Sequence, residues 1–312
     1  MRSNVSLKKQ SGVVIILAML MVALMASLAY LMMEQAMHDT KRTTFIMRDG
    51  SANLIANGAV LWAKDALAQD WMHQKPTQRV DVIPMHLPES VVQGYRVSAV
   101  LYDAQAKYNL NNLTNEGAER DFIILLKSVA PQMNESEAAS LTKNIVLWLR
   151  PVTTNDTLDR YYAELPRPYR AGHRLMSHVS ELKLVKGMTP ALYAALLPVM
   201  VALPETTVIN PQTASVPVLM TLSPSMSAET AAAFVRLRER TPVLTNEAFK
   251  TLPLMANHAI NADKVGMVSA YFQLQTTVSA DNARWVQCAL LARAVVNGRA
   301  VVRVLYQNKG EC

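Results

Sequence analysis

Glycine and cysteine are scarce in this chain: ten and two among 312 residues, with five phenylalanines and an aromatic content of 6%. So few glycines leave little material for a phosphate-cradling loop, and neither a Walker-type glycine loop nor a Gly-x-Ser-x-Gly elbow occurs. The two cysteines, Cys288 and Cys312, lack zinc spacing and cannot supply a disulfide framework; one bridge in an oxidising compartment is the most they allow. The six histidines (His38, His73, His86, His173, His178 and His258) are scattered. Only His173 and His178 lie close, and a spacing of five does not stack them on one helix face as i, i+4 ligands stack. These absences argue against an enzyme. The net charge of +7 arises from 31 basic and 24 acidic residues, and three of the positive charges, Arg2, Lys8 and Lys9, fall in the first twelve residues. That excess is too mild to announce a nucleic-acid partner.

What is present begins with a run of 21 residues without a charge, Val13 to Met33. At 1.5 Å per residue, a helix of that length is about 31 Å long, enough to cross the hydrocarbon layer. A secretory signal peptide would have a shorter apolar region ending in a small-residue cleavage site, whereas Tyr30 and Leu31 are followed here by Met32, Met33 and Glu34. The run is preceded by Lys8-Lys9-Gln10-Ser11-Gly12, a short basic leader closed by glycine. The positive-inside rule gives little orientation, because Arg2, Lys8 and Lys9 are matched by Lys41, Arg42 and Arg48. Helical periodicity continues through Leu54, Ile55, Ala59, Trp62, Ala66 and Leu67, so one helix is expected from 13 to about 72. Gly50 and Gly58 weigh against its continuity by about 1 kcal/mol each.

The segment Gln74 to Ser90, rich in proline and polar residues, reads as a loop. Gly94 to Asp103 alternates β-branched and aromatic residues as a strand does, and so does Tyr271 to Ser279. Trp285 to Val296 and Ala300 to Gln307 flank Asn297-Gly298, a dipeptide that accepts the positive φ angles of a type I′ hairpin turn. Such a turn pairs Val296 with Arg299 and sets Cys288 opposite Gln307, so the tail must double back to bring Cys312 within bonding range. Between these strand regions the chain reads as helices over Asp121–Val129, Glu135–Leu149, Val179–Lys186, Pro190–Leu203, Ala228–Arg240 and Asn246–Leu252. Thr189-Pro190 supplies a cap with proline at the first helical position, and Gly187 a stop. The expected fold is α+β: a long N-terminal helix packed on a small antiparallel sheet, with a large helical domain inserted between strands. The expected boundaries are 1–12 for the leader, 13–72 for the anchor helix, 80–106 and 263–312 for the sheet domain, and 107–262 for the insert.

The leader and the apolar run behind it resemble the type IV prepilin family. Further along, Tyr108-Asn109-Leu110-Asn111-Asn112-Leu113, Tyr169-Arg170-Ala171-Gly172, Val179-Ser180-Glu181-Leu182, Val185-Lys186-Gly187-Met188 and Ile209-Asn210-Pro211-Gln212-Thr213-Ala214 resemble, in wording and order, the K-type minor pseudopilins of type II secretion. The resemblance covers nearly the whole chain. It implies cleavage between Gly12 and Val13 by a prepilin peptidase. It also implies a single-pass place in the bacterial inner membrane with the bulk of the chain in the periplasm, and a role at the tip of the pseudopilus in the export of folded proteins. The implied partners are the I-type and J-type minor pseudopilins and the major pseudopilin filament. Leu17 would then be the fifth mature residue, where other pilins carry a glutamate, and a leucine there suits a subunit with nothing assembled above it.

Three further readings remain beside this one. The runner-up is an inner-membrane-anchored periplasmic scaffold or adaptor without prepilin processing. A remoter alternative is nucleic-acid binding, since 181–203 and 213–238 look like helix-hairpin-helix units and Arg236, Arg238 and Arg240 offer charge. However, Gly187-Met188-Thr189 has only the first of the two glycines usual in a phosphate grip. Calcium is a candidate ligand by the resemblance alone, through Asp156, Asp159 and Glu164. The chain departs from the family there, reading Trp148-Leu149-Arg150-Pro151 with a cation where an acid is usual. No other cofactor is expected, and Cys288 and Cys312 are expected to bond.

Overall fold

A computed structural model describes residues 11–74, 83–152, 157–241, 245–310 and 312; the expected leader lies outside them except for Ser11 and Gly12. The chain divides into two compact units after Ile55. The first is helical throughout its described residues and holds the N-terminal part of α1, Ser11–His73, which runs without a break through Gly50 and Gly58. From Val13 to Met33 every side chain is exposed.

The second unit contains the rest of α1 and a five-stranded antiparallel sheet in the order β1 (Met85–Val92), β2 (Tyr95–Asp103), β5 (Tyr271–Ala280), β6 (Ala283–Val296), β7 (Arg299–Lys309). Ala59, Val60, Ala63 and Leu67 of α1 recur at one- to four-residue steps and so form one stripe. That stripe is buried with Ala99, Leu101, Phe272, Leu274, Ala289, Leu291 and Val302 of the sheet. Its two alanines, Ala59 and Ala63, let the helix backbone come close to the strands. Asn57 Oδ1 accepts a hydrogen bond from Gln307 Nε2 at 2.6 Å.

β2 and β5 are neighbours in the sheet, with Asp103 opposite Phe272, although the whole helical body lies between them in sequence. That body contains the short parallel pair β3 (Tyr108–Asn109) and β4 (Met200–Val201). Its helices are α2 (Ala118–Val129), α3 (Glu135–Leu149), α4 (Thr157–Ala163), α5 (Pro190–Leu196), α6 (Val216–Met220), α7 (Ala228–Arg240) and α8 (Asn246–Thr251). It has its own apolar cluster, in which Phe122, Leu125, Ile145, Tyr162, Leu182, Leu196, Phe234 and Phe249 are fully buried. α3 starts on a complete capping box, Asn134 with Glu137, and α5 on the Thr189 hydroxyl, which accepts from Leu192 N at 3.2 Å.

Several expectations are corrected. Part of the segment read as a loop is strand β1; its Pro88 fits an edge strand at an irregularity, and the register shifts between Leu87 and Ser90. Val179–Leu184 is a 3-10 helix rather than an α-helix, and α5 ends at Leu196, after which Met200–Val201 pairs with β3. The hairpin turn has both positive φ angles, 51° at Asn297 and 77° at Gly298, and pairs Val296 with Arg299. A register shift between Leu290 and Leu291, opposite Leu305, then moves Cys288 from Gln307 to Asn308.

Buried side-chain amides hold the body together by pairing with distant backbone. Asn109 donates to Glu205 O (2.7 Å) and accepts from Leu203 N (3.1 Å). Asn111 donates to Met176 O and Leu203 O and accepts from Met176 N, at 3.0, 2.5 and 2.9 Å. Asn112 exchanges a donor and an acceptor with Thr207 O and N, both at 2.8 Å. An amide suits this role because it carries an acceptor and a donor side by side, as a peptide group does. Replacing Asn111 by Ala leaves three buried backbone groups unpaired. Urea unfolding of the full chain in detergent is expected to show a loss of about 2–4 kcal/mol; a loss below about 0.5 kcal/mol, the scale of an ordinary surface change, would contradict this role.

Candidate functional site

The N-terminal span is apolar on every side. Its best 18-residue window has a mean hydropathy of 2.6, with nothing buried in the protein. Leu17, 60% exposed, lies on this helix, whereas a surface helix of a soluble protein would present a polar face. Gly12 and Val13 both fall in the first turn of α1.

At the other end of α1 the contacts become specific. Arg293 of β6, buried, donates from Nη2 to Ser269 O (2.8 Å), lies 3.9 Å from the Asp70 carboxylate, and stacks over the rings of Trp71 and Phe272. Cys288 and Cys312 are bonded, with Cα atoms 5.1 Å apart. Cys288 stands opposite Asn308, and the Cys312 sulfur lies 3.7 Å from Leu274 O. Their sequence separation of 24 gives a loop-entropy contribution of about 3.5 kcal/mol.

A second set of knots lies where the chain leaves and re-enters the sheet. Asp103, the last residue of β2, is buried. Its Oδ1 accepts from Gln105 N (2.8 Å), and its Oδ2 from Thr213 Oγ1 (2.5 Å), Ser269 Oγ (2.8 Å) and Asn210 Nδ2 (3.0 Å). Arg238, on α7, donates to the carbonyls of Pro211 and Ala214, so one of the three arginines that suggested nucleic acid is committed inside the protein. In the hairpin after the 3-10 helix, Met188 N donates to Val185 O at 3.1 Å and is not free to meet an anion. Sequence reasoning missed the roles of Asp103, Asn210 and Arg293, because their partners stand tens of residues away.

Of the calcium candidates, Asp156 lies outside the described residues. Asp159 sits in α4 and its oxygens are engaged: Oδ1 accepts from Ala171 N (3.1 Å) and Oδ2 meets His173 Nε2 (3.1 Å), while His173 Nδ1 lies 3.0 Å from Arg150 O. Glu164 is exposed just beyond α4. Among the described residues no group of three or more His, Cys, Asp or Glu side chains is placed to hold a metal. With the imidazole of His173 and the Ala171 amide on Asp159, the described donors do not fit calcium. The loop passes close to the core at Gly172, where a Cβ would come within 2.8 Å of Trp148 Nε1.

An apolar N-terminal helix, a five-stranded antiparallel sheet and a helical body inserted between two adjacent strands define an α+β protein. Comparison with known proteins gives the family. Models described as type II secretion system (T2SS), protein K, match residues 106–205 and 209–268, together just over half of the chain. The chain belongs to the type II secretion system protein K family. Its relatives include the type II secretion system protein K of Klebsiella pneumoniae (28% identical, covering 64% of each chain) and that of Pectobacterium carotovorum subsp. carotovorum (26%, covering 63% of this chain and 64% of that one). The protein K of Pseudomonas aeruginosa is 29% identical over 72% of this chain and 68% of its own. The matched stretch thus spans slightly under two thirds of the length of the first two relatives. In fold, the chain is similar to one in the crystal structure of the GspK–GspI–GspJ complex from the enterotoxigenic Escherichia coli type 2 secretion system. That likeness has a TM-score of 0.71 at 21% identity and covers 87% of this chain and all of that one.

The engagement of Asp159 has a pH consequence. Burial pushes its carboxyl up, but the Ala171 amide, His173 and Arg170 outweigh it and hold the group below its ordinary value of 3.8. A depressed folded value means stability that is present above the unfolded value and lost as pH falls through the folded one. Replacing His173 by Ala returns the carboxyl toward its ordinary value, so acid unfolding, followed by tryptophan fluorescence, is expected to begin at higher pH than in the wild type. Identical acid midpoints would contradict the pairing.

Proposed function

We propose that this protein is a minor pseudopilin that caps the tip of the type II secretion pseudopilus, where it binds and assembles without turning over a substrate. The observation that carries the reading is the α1 helix of a protein K family member: 21 uncharged residues followed by a stripe packed on a sheet. In this reading residues 1–12 are a leader removed between Gly12 and Val13 by a prepilin peptidase. Residues 13–72 are a single-pass inner-membrane anchor, 80–106 with 263–312 form the pseudopilin domain in the periplasm, and 107–262 form the inserted helical domain.

The solved relative is GspK in complex with GspI and GspJ, which supports I-type and J-type minor pseudopilins as partners here. Leu17 supports the tip position. A glutamate at that depth in lipid costs about 2.5–3.5 kcal/mol on insertion scales and is tolerable only where a neighbour's charge meets it. A subunit with nothing above it has no such neighbour, and the bulk of the helical body is hard to repeat along a thin shaft. The intact mass of the full chain, expressed with and without a prepilin peptidase, tests the processing. The expected outcome is loss of residues 1–12 only when the peptidase is present. Retention of the leader beside an active peptidase would overturn the pseudopilin reading in favour of an unprocessed scaffold.

A further inference from the structure

A cavity of about 640 Å³ forms a cleft lined by residues of both the sheet and the helical body. It is lined by Tyr102, Gln273 and Gln275 of β2 and β5, by Thr213 and Ser215 of the helical body, and by Lys107. The disulfide-bonded Cys312 closes one side. None of these groups is needed to explain anchoring or processing.

Lys107 is the group without a structural task. It is half-buried, and its ammonium meets no carboxylate among the described residues. Burial alone acts on it, pushing its pKa down. A lysine that shapes a fold normally finds an acid or reaches water, since a desolvated ammonium left unpaired is costly. The other charges of the cleft are already spent or opposed. The Asp103 oxygens accept four hydrogen bonds, the Arg238 guanidinium is bound to two carbonyls, and Glu239 adds a negative charge at the rim.

We propose that this cleft binds an acidic peptide segment, with one carboxylate side chain of the peptide on Lys107 Nζ. With Asp103 and Glu239 also lining the cleft, its one unmatched cation accepts a monoanion and disfavours a phosphate or any other polyanion, whose further charge those carboxylates repel. The volume lies within the 300–1,000 Å³ usual for ligand sites, far more than a bare carboxylate needs. The amide of Gln275 and the hydroxyl of Ser215 are groups that pair with peptide backbone, while Ile83, Pro84 and Pro198 offer apolar surface to side chains.

The test uses the full chain in detergent with its lysines reductively ¹³C-methylated, which keeps their charge. The Lys107 resonance is the one absent from both Lys107→Met and Lys107→Arg, so that assignment survives if one variant fails to fold. The probes are capped Ala-Ala-Asp-Ala-Ala, the same peptide with Asn for Asp, sodium acetate and inorganic phosphate. The expected result is a saturable shift of the Lys107 signal with the Asp peptide, at least tenfold tighter than with acetate, and no saturable shift with the Asn peptide or phosphate. No saturation by the Asp peptide, or an equal response to the Asn peptide, would overturn the proposal. An equal response to phosphate would overturn the selectivity for a monoanion, and an equal response to acetate would overturn the peptide.

Discussion

The structure depends on a buried carboxylate. Asp103 ends β2, and from there the chain departs into the helical body, returning at Ser269 to begin β5 against the strand it left. An ionised carboxyl out of water is costly unless its lone pairs are filled. Here they accept from Gln105 N, Thr213 Oγ1, Ser269 Oγ and Asn210 Nδ2, so exit, return and the middle of the insert are bound to one side chain. The sheet therefore sees a β2–β5 hairpin, and the body can be large because loop-closure entropy rises by only about 0.6 kcal/mol per doubling of length. Arg238 and the three asparagines at 109, 111 and 112 extend the same device, in which polar side chains stand in for missing ladder partners.

The long helix answers to two solvents. Up to Met33 it carries no charge and exposes apolar side chains all round, which suits lipid and no aqueous surface. From Ala59 to Leu67 it buries only one stripe, narrow and alanine-rich, against the sheet. Beyond the stripe, Asp70 and Trp71 meet Arg293, which also holds Ser269 O. The end of the helix and the point of return from the helical body are thus joined through one guanidinium.

Features whose causes are local were legible in the sequence. The Asn297-Gly298 turn, the Thr189-Pro190 start of α5, α3 with its capping box and the alternation of β2 all rest on residues within a few positions of one another. What depended on distant partners was not. β1 is an edge strand with little buried surface, so it has no hydrophobic signature. The irregularity opposite Leu305, which moves Cys288 by one position, leaves no trace in local composition. The asparagine phrases could be matched to a family by wording, but their work is done across 65 to 107 residues and appears only in three dimensions. The same holds for Asp159, which reads as an oxygen donor until His173 is seen beside it.

The proposed tip position requires that this subunit occur once, at the end of a filament. Gold label attached to the helical body, with assembled pseudopili imaged by electron microscopy, tests it most directly. The account predicts label at one end of each filament, whereas label spaced along the shaft would contradict it.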